Sequence, residues 1–232
     1  MFEKVLNFLT TKKVYSETEV YYTPTLAGNI ALFILIALLF ILMAAFTRSK
    51  KQILVKQLAF SAMGVTLAVV TSFIRVAKLP YGGSITLFSM FFVCLIGFLY
   101  GAKAGILTGI AYGFLNLILD PTIIHPIQML LDYPIAYGFL GLTGIFSKSK
   151  FGMIKGYFLG VLGRYLCHVI SGYIFFSMYT PDGWNPIAYT IWYNSLYIVP
   201  EAVATIILLC IPQIQNALKV VKRMVVQEYI IS

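Results

Sequence analysis

Two basic side chains, Arg164 and His168, stand one helical turn apart in an otherwise apolar stretch of the sequence. At this spacing, and with Ser171 three residues further on, all three share one face of a helix. A charged side chain at the centre of a membrane helix costs about 2.5–3.5 kcal/mol, so an intramembrane ionisable residue is a candidate for function. Two carboxylates in other apolar segments, Asp132 and Glu201, meet the same criterion.

Aromatic and amide side chains accompany these charges at helical spacing. We expect them to form a pocket for a planar heteroaromatic cation, because each Tyr or Trp face attracts a cation by roughly 0.5–2 kcal/mol. In that pocket Asp132 supplies the opposite charge and Asn194 supplies hydrogen bonds to the edge of the ligand. Pro134 removes a helical hydrogen bond beside Asp132 and can open room there. The further candidates for the pocket are Gln128, Tyr133, Tyr189, Tyr193 and Tyr197.

A purely structural alternative stays open for the same charges. In it Arg164 pairs with Glu201 or Asp132, and His168 donates a hydrogen bond to a neighbouring carbonyl. We expect Arg164 and Glu201 to lie deeper in the membrane than Asp132 and His168.

Other conspicuous side chains have simpler interpretations. Trp184 and Trp192 suit an aromatic belt at the membrane interface, with ligand contact as the alternative. Cys94, Cys167 and Cys210 lie in apolar segments without C-x-x-C spacing, so we interpret them as small core residues.

The composition is that of an integral membrane protein. Of the 232 residues, 60% are hydrophobic and 11% charged, whereas roughly 25% are charged in a soluble domain. Crossing a bilayer takes about 20 apolar residues, and a helix is expected for each run because it satisfies its own backbone in lipid. The third run, next to Gly101, is short or tilted. The seven candidate spans cover residues 26–46, 55–75, 85–100, 102–119, 127–146, 152–179 and 186–212.

The basic residues lie in clusters between the spans, which favours a role in orientation over nucleic-acid binding. With the amino terminus outside and the carboxyl terminus in the cytoplasm, most Lys and Arg residues fall on the inner side. The loops 120–126 and 180–185, which lack Lys and Arg, then both lie outside. A site facing the exterior could open between them.

Small residues recur at helical spacing in three segments and predict close helix packing. Nothing in residues 1–25 requires a compact fold, and the tail from Gln213 onward predicts a basic amphipathic helix on the inner leaflet. The three glycine faces are Gly105, Gly109 and Gly113; Gly138, Gly141 and Gly144; and Gly152, Gly156 and Gly160.

Motifs of common enzymes are missing from the sequence. It contains no H-E-x-x-H, no G-x-S-x-G and no G-x-x-x-x-G-K-[ST], and neither His125 nor His168 has a partner at metal-ligand spacing. We therefore expect no enzyme activity, no bound cofactor or metal, and no ATP hydrolysis by this chain alone.

Residues 55–210 resemble the thiamine-specific substrate-binding (S) components of energy-coupling factor transporters. One block runs from Tyr112 to Asp132-Tyr133, and a second follows the family in order and spacing through Arg164-Tyr-Leu-Cys-His168, Ser171-Gly172, Phe176, Tyr179, Gly183-Trp184, Tyr189 and Asn194. The resemblance implies a six-helix vitamin-binding core, here residues 51–212, preceded by an extra transmembrane helix in residues 1–50 and followed by the tail, residues 213–232. It also implies ligand contacts at Asp132, Tyr133, His168, Tyr189 and Asn194.

The sequence departs from the family pattern at several of these positions. Asp132 stands where the family has Glu, Phe176 where a Trp stacks on the ligand, and Glu201 where a small polar residue is usual. Tyr81-Gly82-Gly83 replaces Tyr-Gly-Trp. The ligand is therefore expected to be thiamine or a close analogue or precursor, with another vitamin as an alternative.

The resemblance further implies partner proteins, namely a membrane scaffold subunit and a pair of cytoplasmic ATPases that consume the ATP. Docking through small residues would use Ala59, Ser61, Ala62 and Gly64, with Met63 at a position where alanine is usual. Two other hypotheses stay open. One is a proton-coupled secondary carrier, which the lack of a visible inverted repeat disfavours. The other is a membrane protein without transport activity.

Overall fold

The computed structural model describes residues 10–14, 20–28, 30–31, 34, 37–38, 41 and 55–231. Its framework is helical, which confirms the predicted all-α membrane protein. Within residues 55–231, five helices are long and apolar enough to cross a membrane, and a sixth, α2, has 12 residues. At about 1.5 Å per residue, α2 is shorter than a bilayer core. The helices are α1 (Val55–Ser72), α2 (Ser89–Tyr100), α3 (Ala102–Leu119), α4 (Pro126–Phe146), α5 (Gly152–Phe175), α6 (Pro186–Cys210) and α7 (Pro212–Ile231).

The predicted first span, residues 26–46, lies mostly outside the described residues. The positions described there, up to residue 41, are helical. The count of six core helices plus one therefore stays a prediction. Between α2 and α3 the chain turns at Gly101, whose φ of 92° is open to glycine at little cost.

The glycine faces pack helix against helix, as the sequence predicts. A Cβ atom on Gly105 of α3 would lie 2.5 Å from the Gly97 Cα, and one on Gly141 of α4 would lie 2.0 Å from the Ile106 backbone nitrogen. Gly113 of α3 approaches the backbone of Tyr133 equally closely. This contact holds α3 directly against the part of α4 that contains Asp132.

Helix α4 changes its winding around Pro134. Residues Leu131–Ile135 form a π turn, and the last turns, Gly141–Phe146, are a 3₁₀ helix. Proline lacks the N–H that an α helix would use, which is a common cause of such irregularity. The irregularity expected at Pro134 takes the form of this π turn, which contains Asp132 and Tyr133 and is a feature frequent at functional sites.

Two antiparallel hairpins were not predicted. Strands β1 (Thr10–Val14) and β2 (Val20–Pro24) pair before the first described long helix, α1. Strands β3 (Arg75–Lys78) and β4 (Ser84–Thr86) pair between α1 and α2. We call residues 75–86 the outer hairpin. It covers one end of the helical bundle.

At the opposite end of the bundle, α7 confirms the predicted tail helix but packs partly on the protein. Leu218 and Val225 are buried. The Lys222 amine donates to the carbonyl oxygens of Phe98, at 3.0 Å, and Ser147, and lies 3.8 Å from the centre of the Phe98 ring. This burial lowers the pKa of Lys222 to about 8.

Candidate ligand-binding site

One cavity opens beneath the outer hairpin and collects side chains from each of the helices α1 to α6. It brings together most of the predicted site: Gln128, Asp132, Tyr133, Arg164, His168, Phe176, Tyr189 and Asn194 all line it. The cavity also contains residues of the loop that follows α3. Further lining residues are Ser72, Arg75, Tyr81, Thr86, Ser89, Tyr112, Asn116, Asp120, Thr122, Tyr137, Ser171, Tyr179, Thr190, Tyr193 and Tyr197.

The Asp132 carboxylate is held from two sides and is 8% exposed. Its Oδ2 accepts hydrogen bonds from Gln128 Nε2, at 2.7 Å, and from Ser171 Oγ, at 2.8 Å. Its Oδ1 lies 3.3 Å from His168 Nδ1 but receives no well-aligned hydrogen bond. A buried carboxylate oxygen in this state is an acceptor for a donor that the ligand can bring.

Arg164 lies deeper than Asp132 and contacts aromatic and imidazole groups. Its Nη2 donates to Tyr137 Oη at 3.2 Å, its Nε donates to His168 Nε2 at 3.4 Å, and its Cζ lies 4.4 Å from the centre of the Tyr137 ring. The guanidinium is buried, hydrogen bonded and stacked on a ring, and no carboxylate of the described residues forms an ion pair with it.

Glu201 does not form the pair with Arg164 that the structural alternative proposed. Its carboxylate accepts from Thr86 Oγ1 at 2.6 Å, Ser89 Oγ at 3.0 Å and Met90 N at 2.9 Å. Ser89 and Met90 begin α2, and Thr86 ends β4 just before it; the helix's own N-cap, Phe88, provides no side-chain hydrogen bond. Glu201 therefore supplies the missing cap from α6, with its negative charge at the positive end of the α2 dipole.

Asn194 is engaged by its neighbours on α5 and α6. Its Nδ2 donates to the carbonyl oxygens of Thr190, at 2.8 Å, and His168, at 3.3 Å, and its Oδ1 accepts from Tyr197 Oη at 2.5 Å. A ligand that bonds this amide must exchange with one of these contacts.

Tyr133 and Gln128 shape the loop between α3 and α4. The Tyr133 hydroxyl accepts from Thr122 N at 2.7 Å and donates to the Asp120 carbonyl, while Gln128 bonds the backbone of Thr122 and Ile124. Their polar atoms thus hold the cavity wall, and the Tyr133 ring is left to face the cavity.

The outer hairpin closes the cavity through a ring stack, two ion pairs and hydrogen bonds between its turn and Tyr193 of α6. Tyr81 stacks on Tyr179 with ring centres 4.1 Å apart. Asp120, at the end of α3, lies 3.1 Å from Arg75 Nη2 and 3.7 Å from Lys78 Nζ. The sequence analysis named Tyr81 and Tyr179 only as family positions and predicted none of these contacts, because hairpin contacts follow no helical period.

Two predicted groups fall outside the cavity wall. Trp184 is half exposed and packs edge-on against Tyr189, with ring centres 6.0 Å apart, so it supports a lining residue. On α1, Ala59 and Ala62 are exposed and Ser61 is half-buried, whereas Gly64 packs against Ile96 of α2 and faces inward.

Tyr137 is the deep contact that the sequence analysis overlooked. It lies five residues after Asp132, and the π turn between them shifts the helix face by one residue. Spacing of three or four residues therefore does not predict that Asp132 and Tyr137 both line the cavity. Among the described residues, no three His, Cys, Asp or Glu side chains lie close enough together to hold a metal ion.

The fold and the site together define a multi-pass α-helical membrane protein with a polar, aromatic ligand pocket at one end of its bundle. Residues 58–221 match the family described as thiamine transporter protein, and the chain belongs to that family.

Individual relatives agree with this assignment. The thiamine transporter ThiT of Bacillus subtilis is 35% identical over 148 residues, which cover 58% of this chain and 77% of that protein. ThiT of Lacticaseibacillus paracasei is 27% identical over 167 residues, covering 65% and 80%. The solved structure of ThiT from Listeria monocytogenes superposes with a TM-score of 0.60 at 24% identity, over 70% of this chain and 96% of that one, which shows the shared fold.

Proposed function

We propose that the chain binds thiamine from outside the cell and delivers it inward as the substrate-binding component of an energy-coupling factor transporter. The observation that supports this most directly is Asp132 Oδ1, a buried acceptor without an aligned donor, in a cavity lined by tyrosines. Membership of the thiamine transporter family and the names of the relatives point to the same ligand.

Thiamine matches the chemistry of this cavity. Its thiazolium ring is a cation, and its aminopyrimidine carries an amino group that can donate to a carboxylate. The unpaired Oδ1 of Asp132 suits that donor, and the rings of Tyr81, Tyr189 and Tyr193 offer π faces to a planar cation. Phe176, which stands where the family has a Trp that stacks on the ligand, adds another apolar ring to the cavity wall.

The partners and the orientation belong to the same proposal. The small exposed residues Ala59 and Ala62 on α1, with Ser61 beside them, suit close contact with a membrane scaffold subunit. Cytoplasmic ATPases would supply the energy from ATP, and this chain would bind no cofactor. The excess of Lys and Arg in alternate loops supports a plasma-membrane protein with its amino terminus outside.

A binding titration on the purified chain tests the ligand. Trp184 and Trp192 pack against Tyr189 of the cavity wall, so thiamine should change their fluorescence. Asp132→Asn should weaken binding roughly 10- to 150-fold, the value of one charge-assisted hydrogen bond of about 1.5–3 kcal/mol. Asp182→Asn removes an equal charge from the exposed loop before α6 and should leave binding unchanged. Equal affinity in wild type and Asp132→Asn would exclude the carboxylate as the ligand contact.

Transport in vesicles separates the proposal from a self-sufficient carrier. With scaffold and ATPases reconstituted, uptake should require ATP hydrolysis, and without them a pH gradient should drive none. Uptake driven by the pH gradient in vesicles that contain this chain alone would favour the secondary carrier instead.

A further inference from the structure

The two ring nitrogens of His168 have different partners, and one of those partners can only donate. Arg164 Nε points at His168 Nε2 at 3.4 Å, and a guanidinium has no acceptor. Nε2 must therefore present its lone pair and carry no proton. The other nitrogen, Nδ1, lies 3.3 Å from the carboxylate oxygen of Asp132, which can only accept while it is ionised.

We propose that Arg164 is a positioning residue for the ligand site, which holds His168 as the neutral tautomer with its proton on Nδ1. In this arrangement Arg164 occupies Nε2, and the Nδ1–H lies beside Asp132 Oδ1 at 3.3 Å without an aligned hydrogen bond, so His168 offers the ligand its ring face and Oδ1 keeps its lone pairs for the ligand. The part of this proposal that concerns affinity rests on the proposed function. The tautomer itself does not.

Arg164 is well held for this role. Tyr137 fixes it through the Oη hydrogen bond at 3.2 Å and through its ring face at 4.4 Å. On the other sides of the imidazole, the Tyr197 ring meets it edge-on at 6.0 Å, and Asn194 bonds the His168 carbonyl. Since the Arg164–His168 hydrogen bond joins residues one turn apart on α5, it does not depend on how neighbouring helices shift.

His125 provides an internal comparison within the same chain. It caps the start of α4, where its Nδ1 accepts a hydrogen bond from the Ile127 N–H at 3.2 Å. Its proton therefore belongs on Nε2. The chain has only two histidines, and the structure assigns them opposite tautomers.

Nitrogen-15 NMR of histidine-labelled protein, purified through a tag without histidine, tests this assignment directly. The pattern of couplings from each nitrogen to the ring hydrogens distinguishes the two tautomers and the doubly protonated ring. His125→Asn keeps a capping acceptor and identifies the signals by difference. At pH 7.5 His168 should show the proton on Nδ1 and His125 on Nε2. A His168 ring protonated on Nε2, alone or together with Nδ1, would overturn the proposal.

A double-mutant cycle tests whether Arg164 acts on the ligand through His168. Arg164→Met should weaken thiamine binding roughly 5- to 150-fold, the range for a buried polar partner left unpaired. In a His168→Phe background the same change should cost less than about threefold, because non-additivity marks residues that act together. An equal loss in both backgrounds would mean that Arg164 acts independently of His168.

Two further outcomes keep the proposals apart. Arg164→Lys retains a cationic donor and should show the Nδ1–H signature that Arg164→Met loses. If the two variants give the same spectrum, the donor at position 164 does not set the tautomer. If wild-type protein fails to bind thiamine, the proposed function fails while the NMR assignment still stands or falls by itself. If Arg164→Met does not fold, the wild-type spectrum decides alone.

Discussion

The capping of α2 by Glu201 can be tested with two variants that both remove the charge. Glu201→Gln keeps a hydrogen-bond acceptor oxygen, and Glu201→Ala removes it. Glu201 is 2% exposed and receives three hydrogen bonds from the segment that joins the outer hairpin to α2. Two of the donors are hydroxyls, Thr86 and Ser89, which lie 3.1 Å apart and can bond each other. The third, the Met90 N–H, is fully buried and has no such substitute.

The magnitudes follow from these partners. Glu201→Ala leaves the Met90 N–H unpaired, at about 1–3 kcal/mol. It also opens a cavity of two methylene-sized groups, at about 0.8 kcal/mol for each buried group. The expected loss is therefore about 2.6–4.6 kcal/mol, in addition to the charge contribution that both neutral variants lose. Glu201→Gln keeps an oxygen for the Met90 N–H and loses mainly the charge at the helix terminus, which is worth about 0.3–1 kcal/mol, or up to about 2 when partly buried.

Equilibrium unfolding of purified protein in mixed detergent micelles measures both variants. We expect Glu201→Ala to lose at least about 2 kcal/mol more than Glu201→Gln. The cap would be refuted if the alanine variant came within about 1 kcal/mol of wild type, or if both variants lost the same amount. A double-mutant cycle of Glu201→Gln with Arg164→Met should show weak coupling, whereas strong coupling would restore the Arg164–Glu201 pair.

Three other regions give predictions of a similar kind. Asp120→Asn removes two part-exposed ion pairs of about 0.2–1 kcal/mol each, so ligand dissociation measured by stopped flow should accelerate a few-fold. Gly141→Ala should prevent stable folding, because its Cβ would lie 2.0 Å from a backbone atom, and Gly160→Ala, with its nearest backbone atom at 2.9 Å, should lose less in thermal melting. Burial lowers the pKa of Lys222 to about 8, so between that pH and the usual lysine pKa the folded chain binds fewer protons than the unfolded chain. The free energy of unfolding should therefore rise with pH in this range. Lys222→Met should remove that contribution.

Each of these has a matched control. The Asp120→Asn acceleration should fade in high salt, and Asp182→Asn should not produce it. An effect of Asp120→Asn that persists unchanged in 1 M salt would contradict the ion pairs. For the glycines, a Gly141→Ala variant that folds and melts at the same temperature as Gly160→Ala would contradict the packing. For Lys222, the prediction fails if the variant and wild type show the same pH slope from 7.5 to 10.

The sequence predicted many of the residues that line the candidate cavity because intramembrane polarity is costly wherever it occurs. Asp132, Arg164 and His168 stand out in apolar runs, and the structure places all three around one cavity. The glycine faces predicted helix contacts for a similar reason, since small residues in lipid permit close backbone approach. Neither inference required knowledge of which helices are neighbours.

What the sequence by itself determined is the membrane class, the helices and the face of each helix on which polar groups lie, because these follow from hydropathy and the 3.6-residue period. The tertiary structure decided which partner each polar group has. Helical spacing placed Glu201 on the inner face of α6, but only the packed bundle brings it to Met90, 111 positions away along the chain, rather than to Arg164. The π turn at Pro134 and the outer hairpin were likewise decided by packing, since neither has a regular period that a sequence can display.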